Sequence, residues 1–228
     1  MEVRELHGWP STPAEAEAIQ DRLRPMLELG VPGPARPRTV AGLDVSYAGD
    51  GGGTGTRLAA AVVVLDGATL DVVEESVAVG TAVFPYVPGL FAFRELPTLL
   101  EALRDLKTTP DLLVCDGFGV AHPRRFGLAC HLGVLTGLPT IGVGKTAFVG
   151  AYETPGRRRG ATNPLLDDGE VIGRVLRTRD GVKPVFVSVG HRTDLETACR
   201  NVLDLAVEYR LPETTRRADR LSRDALRG

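Results

Sequence analysis

Residues 111–146 read DLLVCDGFGVAHPRRFGLACHLGVLTGLPTIGVGKT, and this stretch decides the fold. Leu112-Leu113-Val114-Cys115 is a short, unbroken apolar run, the pattern of a strand buried on both faces. It stops at Asp116-Gly117-Phe118-Gly119, which sets a carboxylate just past the carboxyl end of the strand. Open α/β sheets gather their sites in that crevice, where strand ends hold functional groups outward. His122-Pro123-Arg124-Arg125 leads into Phe126, Ala129, Leu132 and Leu135 at helical spacing, and a second apolar strand, 139–143, ends in Gly144-Lys145-Thr146. One βαβ unit thus brings an acid, a histidine, two arginines and a lysine to adjacent loops, a group suited to chemistry on a phosphate. Lys145 is not a P-loop lysine, because Pro139 stands where that motif needs glycine.

Upstream, residues 39–47 alternate and predict a first strand, 57–65 a strongly apolar second, and 70–79 a third after the Asp66-Gly67 turn. Three strands in a row suit an antiparallel meander opening a mixed sheet. Residues 48–56 form a glycine-dense loop between the first two, and 90–106 read as a helix in which Pro97 is a kink or a restart. Downstream, 148–169 read as irregular, 170–177 and 184–189 as strands, and 195–209 as a helix capped by Thr193 or Asp194. The charged tail 211–228 is helical in part. At the amino end, Thr12-Pro13-Ala14-Glu15 is a capping box with proline in the first helical position, and the helix it opens ends near Pro25. Prolines in 31–38 make an extended linker. With no repeat and no compositional break, 1–228 reads as one α/β domain, with 1–38 packing on its core.

The 27 basic and 29 acidic residues leave a net charge of -2, so any basic surface for nucleic acid must be local. No apolar run approaches the ~20 residues of a membrane span, and the charged amino terminus lacks a secretory pattern, so the expected location is cytoplasmic, away from membranes. Cys115, Cys130 and Cys199 are odd in number, widely spaced and set among apolar residues, which favours buried thiols over disulfides or a zinc site.

Asp44 interrupts an apolar strand between Leu43 and Val45. A buried carboxylate needs an arginine, a metal or backbone donors; alternatively, Asp44 bonds a turn at a strand end. Asp116 has the stronger position. Glu95 alone reads as a solvated helix residue beside Arg94, and Asp219 alone as a surface charge among arginines. Together they suggest more. Phosphodiester hydrolysis near neutral pH is served by two Mg²⁺ ions about 3.5–4 Å apart. Mg²⁺ takes oxygen ligands, and acids from separate elements supply them. An acid in the first strand, one ending a central strand and one on the intervening helix is the layout of an RNase H-like nuclease.

The segment Phe84-Pro85-Tyr86-Val87-Pro88-Gly89-Leu90-Phe91-Ala92-Phe93-Arg94-Glu95 closely resembles the signature of endonuclease V, the family of deaminated-base repair nucleases. The resemblance continues through Gly42-Leu43-Asp44-Val45-Ser46, Asp116-Gly117-Phe118-Gly119, Ala121-His122-Pro123-Arg124 and Gly142-Val143-Gly144-Lys145, and closes with Leu211-Pro212-Glu213-Thr214-Thr215-Arg216 before Asp219. The glycines around Gly51 and the triplet Arg157-Arg158-Arg159 fall outside it.

This resemblance implies an α/β RNase H-like fold and a Mg²⁺-dependent endonuclease, with Mn²⁺ as a substitute, acting as a monomer on DNA that contains deoxyinosine. The cut would fall at the second phosphodiester 3′ to the lesion and leave 3′-hydroxyl and 5′-phosphate ends; inosine-containing RNA stays open as a substrate. Asp44 and Asp116 would be the principal metal ligands, with Glu95 and Asp219 completing the site directly or through water. Some family members carry histidine at the last position. Lys145 would meet the phosphate as a compact point charge. Tyr86, stiffened by Pro85 and Pro88, would fill the gap left by an extruded base. Gly117, Gly119, Gly127 and Gly142 would leave room for that base, with Phe91 and Leu128 as walls. His122 either bonds the substrate or packs; His7, His131 and His191 are structural. A basic cleft would draw on Lys145, Arg124, Arg125 and Arg157 to Arg159, and binding would weaken with salt. Two rivals remain: an RNase H-like nuclease guided by structure alone, and a non-catalytic lesion-binding protein.

Overall fold

The expected meander forms. In a computed structural model that describes residues 1–49 and 53–227, β1 (Thr39–Tyr47) pairs antiparallel with β2 (Arg57–Asp66), and β2 with β3 (Val72–Thr81). Gly51 lies outside the described residues. β4 (Leu112–Asp116) runs parallel to β1, and β5 (Thr140–Gly144) parallel to β4. The first five strands therefore stand in the order 3-2-1-4-5, an RNase H-like arrangement, and β9 (Val185–His191), β8 (Glu170–Leu176), β7 (Thr162–Asp167) and β6 (Ala151–Tyr152) extend the sheet beyond β5.

Burial follows from helices on both faces. Residues 58–65 of β2 are wholly buried. On one face α2 (Ala92–Asp105) packs Leu96, Leu99 and Leu103 against Leu43, Val62 and Leu113. It runs through Pro97 as one helix. On the other face α5 (Glu213–Arg227) packs Ala218 against Val63 and Leu65. α5 lies close to β1 because residue 42 is glycine: a Cβ there would collide with the Thr214 carbonyl. That close approach carries Asp219 to β1.

Several expectations shift. The helix after β4, α3, spans Leu128–Thr136, so His122 and Phe126 precede it. Arg125 takes a left-handed φ of 54°, which a continuing helix cannot contain, and Gly127 is the extended N-cap. The stretch read as irregular contains two strands, β6 (Ala151–Tyr152) and β7 (Thr162–Asp167), the latter holding Pro164. β8 (Glu170–Leu176) and β9 (Val185–His191) follow antiparallel. α4 (Leu195–Leu205) is capped by Asp194, whose carboxylate accepts from Thr197 N, and ends before Tyr209.

The amino-terminal helix α1 (Pro13–Leu23) is capped by Thr12, which accepts from Glu15 N, while the Glu15 carboxylate reaches Ser11 N at 2.8 Å. α1 seats Ala16 among Phe84, Leu90 and Phe93, and Leu23 against Phe126, Cys130 and Val134. His7 and the buried His131 join through their Nε2 atoms at 2.7 Å, and His191 Nδ1 accepts from Glu28 N at 3.2 Å. All three cysteines are buried free thiols, and burial pushes Cys199 up to about 12. Among the described residues no helix is long and apolar enough to cross a membrane.

Candidate active site

β1 and β4 pair Leu43 with Cys115, so Asp44 and Asp116 follow one residue later on neighbouring parallel strands. Glu95 stands in the first turn of α2 and is 4% exposed, contrary to its reading as a solvated residue. Asp219 arrives from α5. Each acid has a partner already. Asp44 Oδ2 accepts from Ser222 Oγ at 3.1 Å, Glu95 Oε1 from Tyr47 Oη at 3.1 Å, and Asp219 Oδ1 pairs with Arg223 Nη2 at 2.8 Å. Asp116 Oδ2 forms an ion pair with Lys145 Nζ.

The acids also share one electrostatic field. Burial, then the Asp116 and Asp219 charges, push the Asp44 carboxyl up to about 7, against the Ser222 hydrogen bond. Burial and the Asp44 charge hold Glu95 well above the usual carboxylate range. For Lys145, burial alone would lower the pKa, but the hydrogen bond and charge of Asp116, with Asp44 and Asp219, raise it. Among the described residues no three His, Cys, Asp or Glu side chains converge tightly enough to hold a metal as they stand. The donor set nevertheless fits a hard dication: the four acids offer oxygen ligands only, and like charges forced together are relieved by positive charge. Tyr47 and Ser222 were not anticipated from sequence. Ser222, three residues after Asp219, shares its helix face, and that spacing was the available signal.

Beside the acids opens a cavity of about 330 Å³. Asp116 and Lys145 belong to its lining, so it adjoins the acid cluster directly. Of the residues expected around a base, Tyr86, Phe91, Gly117, His122, Gly127 and Leu128 line it. Phe118, Phe148 and Gln20 line it too, without having been anticipated. Tyr86 is 59% exposed and meets Phe91 edge-on, ring centroids 6.0 Å apart.

Three expected residues sit elsewhere. Gly119 faces β9, where a Cβ would collide with the Val189 carbonyl, and its N–H donates to Ser188 Oγ at 2.8 Å. Gly142 lies beneath the turn after β4, where a Cβ would stand 2.5 Å from Gly119 N and 2.8 Å from Gly117 O. Both glycines permit backbone packing and leave no room for a base. Pro85 is outside the cavity lining, whereas Pro88 is in it. The expected basic cleft is also reduced. Arg124 pairs with Glu17 and Asp21, and Arg125 with Asp167 and Glu170, the latter two contacts each at 2.9 Å. Arg159 donates to the Leu203 carbonyl at 2.7 Å and lines a different cavity around Val40, at the start of β1.

A family model described as Endonuclease V matches residues 22–220. The chain belongs to the endonuclease V family. It is 60% identical over 227 residues to the endonuclease V of Streptomyces avermitilis, spanning 99% of this chain and 97% of that one. The crystal structure of an endonuclease V from that species superposes with a TM-score of 0.91 at 58% identity, covering 100% of this chain and 98% of the other. Endonuclease V of Ciona intestinalis, solved in complex with a 24mer DNA containing an inosine followed by a ribo-adenosine, gives a TM-score of 0.77 at 27% identity, covering 94% and 97%. As an endonuclease V this protein is a nuclease of the hydrolase class, on an RNase H-like fold.

Proposed function

We propose that this endonuclease V cuts DNA beside deaminated bases, deoxyinosine above all, with Mg²⁺ held by Asp44, Asp116, Glu95 and Asp219. The observation that carries the reading is the adjacency of the acid cluster and the cavity, which share Asp116 and Lys145. A base turned out of the helix enters the cavity between Leu128 and Phe91, over the backbone at Gly117 and Gly127. Tyr86 closes the gap left in the stack. The phosphodiester on the 3′ side then reaches the acids, and Lys145 turns from Asp116 to a phosphate oxygen. Asp44, Asp116, Glu95 and Asp219 would hold the Mg²⁺, which when bound would supply a more acidic water and offset charge on the reacting phosphate. In this reading the cut falls at the second phosphodiester 3′ to the lesion and leaves 3′-hydroxyl and 5′-phosphate ends.

End-labelled duplexes with and without a single inosine, in Mg²⁺ and in chelator, test this. One nick at the proposed position, dependent on both inosine and metal, is expected. Equal cutting of plain duplex would favour a nuclease guided by structure, and base release without strand scission would favour a glycosylase. Tyr86→Ala is expected to lower kcat/KM on the inosine duplex roughly 5- to 150-fold, the equivalent of one base–aromatic stack of about 1–3 kcal/mol. Its melting temperature should not move, because the side chain is largely exposed.

A further inference from the structure

Helix α1 carries no acid of the cluster, yet one of its side chains reaches the cavity. Gln20 is 1% exposed, and its Nε2 donates to two carbonyls, Gly89 at 2.9 Å and Phe126 at 3.1 Å. Gly89, with φ of +84°, ends the segment that carries Tyr86; Phe126 immediately precedes Gly127 on the cavity wall. A single amide therefore ties the tyrosine segment to the cavity. Its orientation is unambiguous, since a flipped amide would turn its oxygen toward two carbonyl oxygens. Among the described residues the Oε1 atom has no hydrogen-bond partner, so the two Nε2 bonds orient the group.

The Gly89 carbonyl takes a second donor. His122 Nδ1 accepts from Arg124 N at 3.2 Å, which leaves the hydrogen on Nε2, and Nε2 lies 2.8 Å from Gly89 O. Both ring nitrogens of His122 are thus engaged within the protein, so its packing reading prevails over substrate bonding. At the other end of the segment, Arg94 Nη1 donates to the Phe84 carbonyl at 2.7 Å. The tyrosine segment is clamped at both ends, and at its Gly89 end Gln20 differs from His122 in also bonding the Phe126 carbonyl beside Gly127.

We propose that Gln20 is a positioning residue for base extrusion: it fixes the distance from Tyr86 to the cavity, so that filling the stack and seating the base happen together. The proposal rests on the base-recognition reading above and extends it to a residue of the amino-terminal helix. Gln20→Met keeps length and volume while removing both donors. On an inosine duplex kcat/KM should fall about 10- to 100-fold, near what losing the stack itself costs. On DNA with the inosine in a bulge, where unstacking is already largely done, the loss should stay within about threefold. A 2-aminopurine next to the inosine, read in Ca²⁺, should lose most of its fluorescence rise on binding, while Mn²⁺ affinity in the absence of DNA stays unchanged. Should Gln20→Met melt well below the unaltered protein, Gln20→Leu, which also lacks the donors and carries no charge, is read on the same duplex-to-bulge ratio. Equal losses on both DNAs, or an undiminished 2-aminopurine signal, would overturn the role of Gln20. If the unaltered protein cuts inosine and plain duplexes equally, the base-recognition reading itself fails. If it keeps its preference while the variant's ratio is unchanged, only the clamp fails.

Discussion

Asp44→Asn is expected to abolish nicking yet make the metal-free protein more stable at alkaline pH. The loss of activity follows from the role proposed for Asp44 as a metal ligand: several kcal/mol of charge stabilisation, about a thousandfold in rate or more, depend on that charge. The gain in stability follows from its surroundings. Burial and the neighbouring Asp116 and Asp219 charges raise the Asp44 carboxyl from 3.8 to about 7. A carboxyl with a raised folded-state value stabilises the fold fully below its ordinary value, and that contribution disappears as the pH climbs through the raised one. By pH 8 the ionised group has forfeited up to about 4 kcal/mol. Asparagine keeps the shape and the Ser222 partner without the charge. In chelator the variant should therefore melt above the unaltered protein at pH 8, with the difference closing toward pH 4. Added Mg²⁺ should raise the melting temperature of the unaltered protein at pH 8 and scarcely move the variant. Melting curves across pH 4–8, with and without Mg²⁺, check all three statements; parallel pH profiles for the two proteins would refute this account of Asp44.

Much of this arrangement was legible in the chain, where local pattern and tertiary demand agree. The strand expected around Asp44 forms, although residues 40–43 of β1 are buried without alternation; β4 and β5 are buried runs ending at Asp116 and Gly144, and Thr12 begins α1 as its capping pattern requires. What escaped was set by contacts between distant residues. β7 holds a proline and only one fully buried residue, Leu165, and its pairing with β8 on one side and β6 on the other makes it a strand. α3 begins late because Arg125 turns left-handed, although Phe126 keeps helical spacing with Ala129. A glycine's purpose is likewise invisible locally: Gly117 lines the cavity, whereas Gly119 and Gly142 serve close backbone packing. Arg124 and Arg125 read as free cations until their partners on α1, β7 and β8 are known. The Tyr47–Glu95 hydrogen bond joins residues 48 positions apart, beyond the reach of any local pattern, and for the Ser222–Asp44 bond, 178 positions apart, the chain offers only the spacing of Ser222 from Asp219.

Lys145→Met should lower turnover while tightening the hold on metal, a combination that separates its role from that of the acids. The Lys145 ammonium is 47% exposed and sits on Asp116 Oδ2, an oxygen that a dication would also claim. Its carbonyl is anchored by Arg210 Nη2 at 2.5 Å, so the backbone stays in place while the flexible stem can swing. If the ammonium moves to a phosphate oxygen when DNA and metal arrive, methionine removes that contact and kcat/KM falls by about 10²–10³-fold, the usual loss when one preorganised donor to developing charge is deleted. Losing one phosphate contact should also flatten the dependence of log binding constant on log salt by about one unit. Metal binding should move the other way, because Asp116 no longer has an internal cation to give up, so the Mg²⁺ concentration at half-maximal rate should decrease. Lys145→Arg should restore only part of the rate, since a planar fork does not reproduce a point charge on a short path between Asp116 and the phosphate. Nicking rates titrated with Mg²⁺, alongside DNA binding in Ca²⁺ across a salt series, read these effects separately. A rise in the Mg²⁺ requirement of Lys145→Met would mean that the ammonium helps assemble the acid cluster instead of competing within it, and Lys145 would then act through Asp116 with no direct part at the phosphate.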